Sequence, residues 1–191
     1  MKWFPDFNII LASKSPRRQQ LLASLDIDFS VQTKDVDESY PKNLKKEQVP
    51  LYLAELKAKA FQHELQPNDL LITADTVVLV DDNILGKPGG YKEAYDMLKR
   101  LSARQHRVIT GVCLSAVHKT TSFFAQTEVE FKSLSHDEID YYIRHFKPYD
   151  KAGSYGIQEW IGSIGISNIN GSFYNVMGLP IQKLYQEIID F

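Results

Sequence analysis

The sequence has 191 residues, of which 43% are hydrophobic and 24% are charged, a composition typical of a soluble globular protein with a substantial core. The net charge of −2 excludes a general electrostatic attraction to nucleic acid polymers or anionic membranes, so a phosphate group must be bound by a local cluster of cations. The single cysteine, Cys113, excludes an internal disulfide and a thiolate-rich metal site. The first apolar run, at residues 9–12, is too short for a signal peptide, and no run could span a membrane. We therefore expect a cytoplasmic protein.

The first chemical feature is a polar turn between a strand and a helix. Residues 8–12 predict a short buried strand, after which Ser15 suits an N-cap and Pro16 suits the first helical position. Arg17 and Arg18 fall in the first turn, where cations oppose the helix dipole. Two interpretations stay open: the arginines are solvated, or the serine turn and the arginines together bind a phosphate group.

The second feature is an acid inside an apolar run. Residues 70–80 predict a largely buried strand, closed by a turn at residues 81–83, and Asp75 and Thr76 lie in its middle. A buried carboxylate there is costly unless it meets a cation, a metal or several donors. It is either satisfied by backbone amides or presented to a ligand, as in open α/β sheets. With Lys87 on the following loop, the acid suggests a site for a metal-bound anion.

Two further segments add charges. A helix predicted from Pro50 to about Leu65 carries Lys57 on its apolar stripe, where a lysine either extends to water or meets an anion. Lys59 lies on the polar face of the same helix. The acids at residues 35–38 are typical of a solvated loop, and the alternative is that one of them belongs to the active site.

The remaining pattern predicts mainly scaffold. The expected elements are a strand at 29–31, a helix at 94–101, a hairpin of two long strands at 106–117 and 123–131, a helix begun by a capping box at 135–138, and a final helix from Pro180. Cys113 is expected in the core. Residues 149–180 contain many glycines and little periodicity, so we expect a long, irregular and functional segment. The histidines lack metal-ligand spacing, and no nucleophile motif is present.

Five short motifs follow one another along nearly the whole chain. They are LASKSPRR at 11–18, ADTVV at 74–78, GKP at 86–88, DKAGSYGIQ at 150–158 and GLP at 178–180. In this order they resemble the Maf family of nucleoside triphosphate pyrophosphatases, which is associated with septum formation. The residues before Asn8 are an additional lead-in with no assigned use.

The resemblance implies an α/β fold. It implies a single domain over residues 1–191, with a mixed twisted sheet flanked by helices and two lobes around a central nucleotide cleft. It also implies hydrolysis of dTTP and UTP to the monophosphate and pyrophosphate with a divalent cation, Mg²⁺ or Mn²⁺. The expected partner is the nucleoside triphosphate substrate, without nucleic acid polymer or membrane, and the family suggests a homodimer.

The resemblance also implies roles for individual residues. Asp75 is the expected catalytic residue, which deprotonates the attacking water and holds the metal together with Glu38. The expected substrate-binding residues are Ser13, Arg17, Arg18, Lys57, Thr76, Lys87 and Gln158. Arg17, Thr76 and Gln158 match the dTTP/UTP branch rather than the 7-methyl-GTP branch. The amide of Gln158 both donates and accepts, as the edge of a pyrimidine requires.

Two other functions stay open. One is a house-cleaning pyrophosphatase that acts mainly on modified nucleotides, and the other is a nucleotide-binding regulator of cell division. The presence of Asp75 and Glu38 favours catalysis, because a pure binding module has no need of these acids.

Overall fold

The computed structural model describes residues 4–191; residues 1–3, part of the lead-in before Asn8, lie outside the described residues. The strands are β1 (Asn8–Leu11), β2 (Phe29–Val31), β3 (Asp69–Val80), β4 (Asn83–Leu85), β5 (Gln105–Ser115), β6 (Thr120–Phe131) and β7 (Ile166–Asn170). The α-helices are α1 (Pro16–Ala23), α2 (Val49–Lys59), α3 (Tyr91–Leu101), α4 (His136–Phe146), α5 (Trp160–Gly165), α6 (Phe173–Met177) and α7 (Ile181–Ile189). Short 3₁₀ helices occupy Lys46–Gln48 and Ala152–Ser154.

The strands form one mixed sheet in the order β2-β1-β3-β5-β6-β7, with β4 beside β3. Strand β1 is parallel to β2 and to β3, whereas β4 is antiparallel to β3 and β7 is antiparallel to β6. The predicted α/β class and mixed sheet are confirmed. The central nucleotide cleft stays a prediction.

The order of the strands reverses at β1. The chain passes from β1 to β2 on one side and then to β3 on the other side of β1. Ligands of open α/β sheets bind beyond the carboxyl ends of strands at such a reversal. The pairing of β1 with β3 ends at Leu11 and Ile72, while β3 runs on to pair with β4 from Val78. Asp75 lies between these two paired stretches.

Contacts divide the chain into two compact units. Among the described residues, the first contains 4–75, Thr110–Ala125 and Gly178–Phe191, and the second contains Thr76–Ile109 and Gln126–Met177. Strands β3, β5 and β6 contribute residues to both. The single domain over residues 1–191 stays a prediction.

In the first unit, α2 packs very closely on the sheet. The buried hydroxyl of Thr73 on β3 donates to the backbone oxygen of Ala54 on α2 at 2.6 Å. A Cβ atom added to Gly111 on β5 would lie 2.4 Å from the backbone nitrogen of Leu51, so only glycine fits there. These contacts fix the position of α2 over β3. Cys113 belongs to this core as predicted, and burial raises the pKa of its thiol to about 12.

In the second unit, α3 and α4 pack around a core with β6 and the residues of the chain after Lys151. The predicted capping box of α4 is confirmed: the hydroxyl of Ser135 accepts from the amide of Glu138, and the carboxylate of Glu138 accepts from the amide of Ser135. Within residues 4–191, no helix combines the length and the apolar character that crossing a membrane requires.

Several predicted boundaries were wrong. Helix α2 ends at Lys59 rather than near Leu65. The backbone oxygen of Ala60, at the end of the helix, accepts a hydrogen bond of 2.7 Å from the ammonium group of Lys34. The segment 149–180, predicted to be irregular, contains α5, β7 and α6. These elements span only five or six residues each, too short to show a clear hydrophobic period.

Candidate active site

Asp75 lies on β3 directly beyond the stretch that pairs with β1. Its side chain is 15% exposed, and its Oδ1 accepts a hydrogen bond of 2.7 Å from the Nζ of Lys57. The preceding residue, Ala74, is buried, and its backbone oxygen accepts from the Nη1 of Arg18 at 2.7 Å. Arg18 on α1 therefore fixes the strand next to the carboxylate, and Lys57 on α2 binds the carboxylate itself.

Lys57 reaches toward β3 from α2 and lies between two carboxylates. Its side chain is 18% exposed, and its Nζ lies 2.7 Å from Asp75 Oδ1 and 3.0 Å from Glu38 Oε1. The sequence left open whether this lysine extends to water or meets an anion. In the structure it meets anions, and they are side chains of the protein itself.

The acids at residues 35–38 have separate partners. Asp35 forms an exposed ion pair of 2.6 Å with Lys14, and Asp37 accepts from the amide two residues later at 3.1 Å. Of these three acids, Glu38 is the one that the structure places beside Lys57. This is the acid for which the family resemblance implied a role.

Arg18 binds backbone oxygens at two places. Its Nε donates to Gly178 at 2.8 Å, and its Nη1 donates to Ala74 at 2.7 Å. Burial lowers the pKa of its guanidinium group, and the charge of the nearby Asp75 carboxylate acts in the opposite direction. Arg18 therefore ties the first turn of α1 to the strand beside Asp75. Its expected contact with substrate stays a prediction.

Ser13 and Arg17 lie in the same turn. Ser13 is buried after β1, and its Oγ accepts from the amide of Ser15 at 3.2 Å. Ser15 occupies the N-cap position of α1 without a capping hydrogen bond from its side chain, and Pro16 begins the helix as predicted. The charge of Arg17 contributes to the lowered pKa of Arg18, so the two guanidinium groups lie close enough to repel each other.

The other expected site residues belong to the second unit. Thr76 follows Asp75 on β3. Lys87 is exposed on the loop after β4, and the backbone oxygen of Gly86 in that loop accepts from the amide of Gly153 at 3.0 Å. Gln158 is exposed directly after the buried residues 153–157. The loop that carries Lys87 and the segment that ends at Gln158 are therefore joined within this unit.

The structure also reveals a buried polar network that the sequence did not single out. The ammonium group of Lys151 lies 2.7 Å from Asp150 Oδ1 and 3.1 Å from Glu159 Oε1. The hydroxyl of Tyr142 donates to the other oxygen of Glu159 and accepts from the amide of Gly156 at 3.0 Å. Burial raises the pKa of Tyr142, so the hydroxyl keeps its proton. Lys151 and Glu159, two charged residues at the ends of a segment of mostly small and apolar residues, were the signal available in the sequence.

Comparison with known proteins identifies the family. The chain matches the family described as Maf-like protein over residues 8–191. The chain belongs to the Maf family. Curated relatives named dTTP/UTP pyrophosphatase are 54% identical in Parabacteroides distasonis, over 97% of this chain and 96% of the relative, and 54% identical in Porphyromonas gingivalis, over 97% and 94%. The relative of that name in Flavobacterium psychrophilum is 49% identical over 99% of this chain and 97% of its own length.

A solved structure, that of the Staphylococcus aureus Ham1 protein, is 18% identical with a TM-score of 0.48 and covers 65% of this chain and 71% of that one. This likeness is too weak to bear on the function. The Maf family assignment itself confirms the resemblance carried by the five sequence motifs.

The carboxylates of the candidate site fit a divalent cation that takes few of its ligands from the protein. Among residues 4–191, no three His, Cys, Asp or Glu side chains converge as a complete metal site. Glu38 and Asp75, however, share the single ammonium group of Lys57, so their oxygens lie within reach of one cation. Mg²⁺ is commonly held by one or two carboxylates, with water and substrate phosphates as the remaining ligands.

Proposed function

We propose that this protein hydrolyses dTTP and UTP between the α and β phosphates, releasing the nucleoside monophosphate and pyrophosphate, with Mg²⁺ or Mn²⁺. The observation that carries the proposal is the convergence of Asp75, Glu38 and Lys57 at the strand reversal of a Maf family chain. The names of the curated relatives support the same reaction.

Asp75 is the proposed general base. Its carboxylate orients the attacking water and takes a proton from it, a role that contributes about 10²–10⁴ to the rate of a typical enzyme. The anchoring of Ala74 by Arg18 holds the strand that carries this carboxylate, and Lys57 binds the carboxylate until a divalent cation takes its place. Positioning of this kind is a large part of catalysis in phosphoryl chemistry.

The cationic side chains are proposed to neutralise the phosphates. Lys57, Arg17 and Lys87 donate to phosphoryl oxygens, where charge develops during the reaction. Ser13 and Arg18 complete the proposed set around the turn after β1. Glu38 and Asp75 would hold the divalent cation, which when bound supplies further neutralisation of the phosphate charge.

Three residues are proposed to set the preference for dTTP and UTP. They are Arg17, Thr76 and Gln158, which match the pattern of the dTTP/UTP branch. Gln158 offers an amide donor and an amide acceptor to the pyrimidine edge. A site with fixed hydrogen-bonding groups can reject a mismatched base strongly, because its polar groups are then left unpaired.

The domain organisation, the cellular location and the assembly are also proposals. We infer a single Maf domain over residues 1–191 that acts in the cytoplasm on free nucleotides, and a homodimer as the assembly. The net charge of −2 agrees with a nucleotide rather than a nucleic acid polymer as the substrate.

The test is a chromatographic analysis of the products from dTTP, UTP, CTP, ATP, GTP and 7-methyl-GTP, with Mg²⁺ or Mn²⁺. We expect monophosphate and pyrophosphate from dTTP and UTP, and slow turnover of the others. A preference for 7-methyl-GTP would contradict the proposed roles of Arg17, Thr76 and Gln158. Release of nucleoside diphosphate and inorganic phosphate would contradict cleavage between the α and β phosphates.

A further inference from the structure

The segment before Gln158 is unusually well anchored for a chain region with little regular structure. Residues 153–157 are all buried, and Gln158 is the first exposed residue after them. The amide of Gly153 donates to the loop after β4, and the hydroxyl of Ser154 contacts the sulfur of Met97 on α3 at 3.1 Å. The hydroxyl of Tyr155 lies 2.7 Å from the Nε2 of buried His106. The exposed amide therefore extends from a fixed backbone.

A buried ionic contact fixes the two ends of this segment to each other. Lys151 lies before the segment with a side chain that is only 9% exposed, and Glu159 lies directly after Gln158 with a side chain that is 19% exposed. Their charged groups are 3.1 Å apart. Ion pairs with so little solvent add little net stability, and one attested use of buried polar groups is to specify a single arrangement of the chain.

Tyr142 on α4 connects this ion pair to the backbone. Its hydroxyl donates to Glu159 and accepts from the amide of Gly156, so one oxygen atom contacts both sides of Gln158. A Cβ atom at Gly156 would lie 2.8 Å from the carboxyl carbon of Glu159, which shows how closely this side chain lies against the backbone.

We propose that Tyr142, Lys151 and Glu159 are positioning residues that hold Gln158 for recognition of the pyrimidine and thereby set the preference for uracil or thymine over cytosine. This positioning network rests on the proposed function, in which Gln158 contacts the base. Its members act through Gln158, and nothing in the network participates in the hydrolysis itself.

The chemistry of the bases explains why position matters. On the edge that pairs with other bases, uracil presents a carbonyl acceptor beside an N–H donor, whereas cytosine presents an amino donor beside a nitrogen acceptor. A glutamine amide can satisfy either pattern by turning over, because it carries both a donor and an acceptor. Which of the two orientations forms hydrogen bonds depends on where the backbone places the amide relative to the base, so discrimination requires that this backbone be held at a defined place. Loss of the network should weaken binding and selectivity without slowing the chemical step.

The test compares Tyr142→Phe and Lys151→Met with wild type and with Tyr91→Phe. The control removes a tyrosine hydroxyl that also donates to a carboxylate, that of Asp140, but does so on an exposed surface. After circular dichroism has verified folding, kcat and KM are measured for UTP and CTP. Titration calorimetry with the α,β-methylene analogues of both nucleotides reports binding without turnover.

In Tyr142→Phe we expect KM for UTP to rise about tenfold with kcat within about twofold of wild type, and the ratio of kcat/KM for UTP over CTP to fall about tenfold. Calorimetry should show the same loss for the UTP analogue, and Tyr91→Phe should match wild type. If Lys151→Met does not fold, Tyr142→Phe, which loses a single oxygen atom, decides the outcome, and Lys151→Arg should restore wild-type selectivity.

Unchanged selectivity in folded Tyr142→Phe, or an equal loss of kcat for every nucleotide, would overturn the positioning role while leaving the proposed function intact. A wild-type protein that does not prefer UTP to CTP would contradict the proposed function first, and the positioning role with it.

Discussion

Lys57 allows the charged cluster to be tested by a single substitution. Lys57→Met keeps the apolar stem and removes the ammonium group with its hydrogen bonds. The bond to Asp75 joins side chains that are 18% and 15% exposed, and a hydrogen bond to a charged group contributes about 1.5–3 kcal/mol. The contact with Glu38 adds at most about 1 kcal/mol, because that carboxylate is 57% exposed and screened by solvent. We expect the free energy of unfolding, measured without a divalent cation, to fall by about 1.5–4 kcal/mol.

The same substitution should strengthen the binding of a divalent cation. In wild type, a cation that binds Glu38 and Asp75 must first displace the ammonium group of Lys57, and the variant has no such competitor. Because 1.4 kcal/mol corresponds to a factor of ten, we expect the Kd for Mn²⁺ to fall by at least about tenfold. Turnover should nevertheless decrease, since the phosphates lose a neutralising charge.

The assay is titration calorimetry with Mn²⁺ in the absence of nucleotide, together with thermal unfolding with and without Mn²⁺. A ligand that binds only the folded state raises Tm, so Mn²⁺ should stabilise Lys57→Met more than wild type. Lys59→Met is the matched control, because Lys59 is exposed on the same helix. Equal Mn²⁺ affinity in wild type and Lys57→Met would refute the shared site.

Two further predictions concern buried groups. Arg18→Lys should lower the free energy of unfolding, measured by urea titration, by about 2 kcal/mol. The reason is that one ammonium group replaces a guanidinium group that donates to the backbone oxygens of both Ala74 and Gly178. Unchanged stability would contradict this anchoring role. Burial lowers the pKa of His106 from 6.5 to about 4, so between these values the unfolded chain binds a proton that the folded chain does not. Stability should therefore fall by about 1.4 kcal/mol per pH unit as the pH drops through this window. Between pH 7 and 4.5, the free energy of unfolding of His106→Gln, whose side chain can still bond to Tyr155, should fall by about 2 kcal/mol less than that of wild type. Equal decreases in the two proteins would contradict the lowered pKa of His106.

The long elements of the fold could be predicted from the sequence because their periodicity is strong. Strand β3 and the helices α3 and α4 carry clear apolar patterns, and the capping box marked the start of α4 at the correct residue. The elements α5, β7 and α6 were not predicted, because elements of five or six residues show no clear hydrophobic period, and β7 takes its register from pairing with β6. The end of α2 was misplaced for a similar reason, since the side chain that binds its last turn, Lys34, comes from a distant part of the chain.

For the candidate site, the residue types could be predicted from the sequence but their contacts could not. The types of its residues could be predicted, because an aspartate inside an apolar strand and a lysine on an apolar helix stripe are costly without partners. Their partners could not, because the contact of Lys57 with Asp75 and Glu38 depends on how α2 crosses β3. The backbone contacts of Arg18 and the network around Tyr142 likewise required the three-dimensional structure.

The most direct test of the proposed function is the rate of pyrophosphate release from UTP with Mg²⁺ by wild type and by Asp75→Asn. The substitution keeps the shape of the side chain and an oxygen that can still accept from Lys57, so the variant should fold. Its Tm should lie a few degrees below that of wild type, because the hydrogen bond no longer has a charged acceptor. We expect rapid release by wild type and a loss of about 10²–10⁴ in kcat for the variant. Turnover by Asp75→Asn near the wild-type rate would contradict the role of Asp75 as the base. Binding of UTP by wild type without any release would instead favour the nucleotide-binding module.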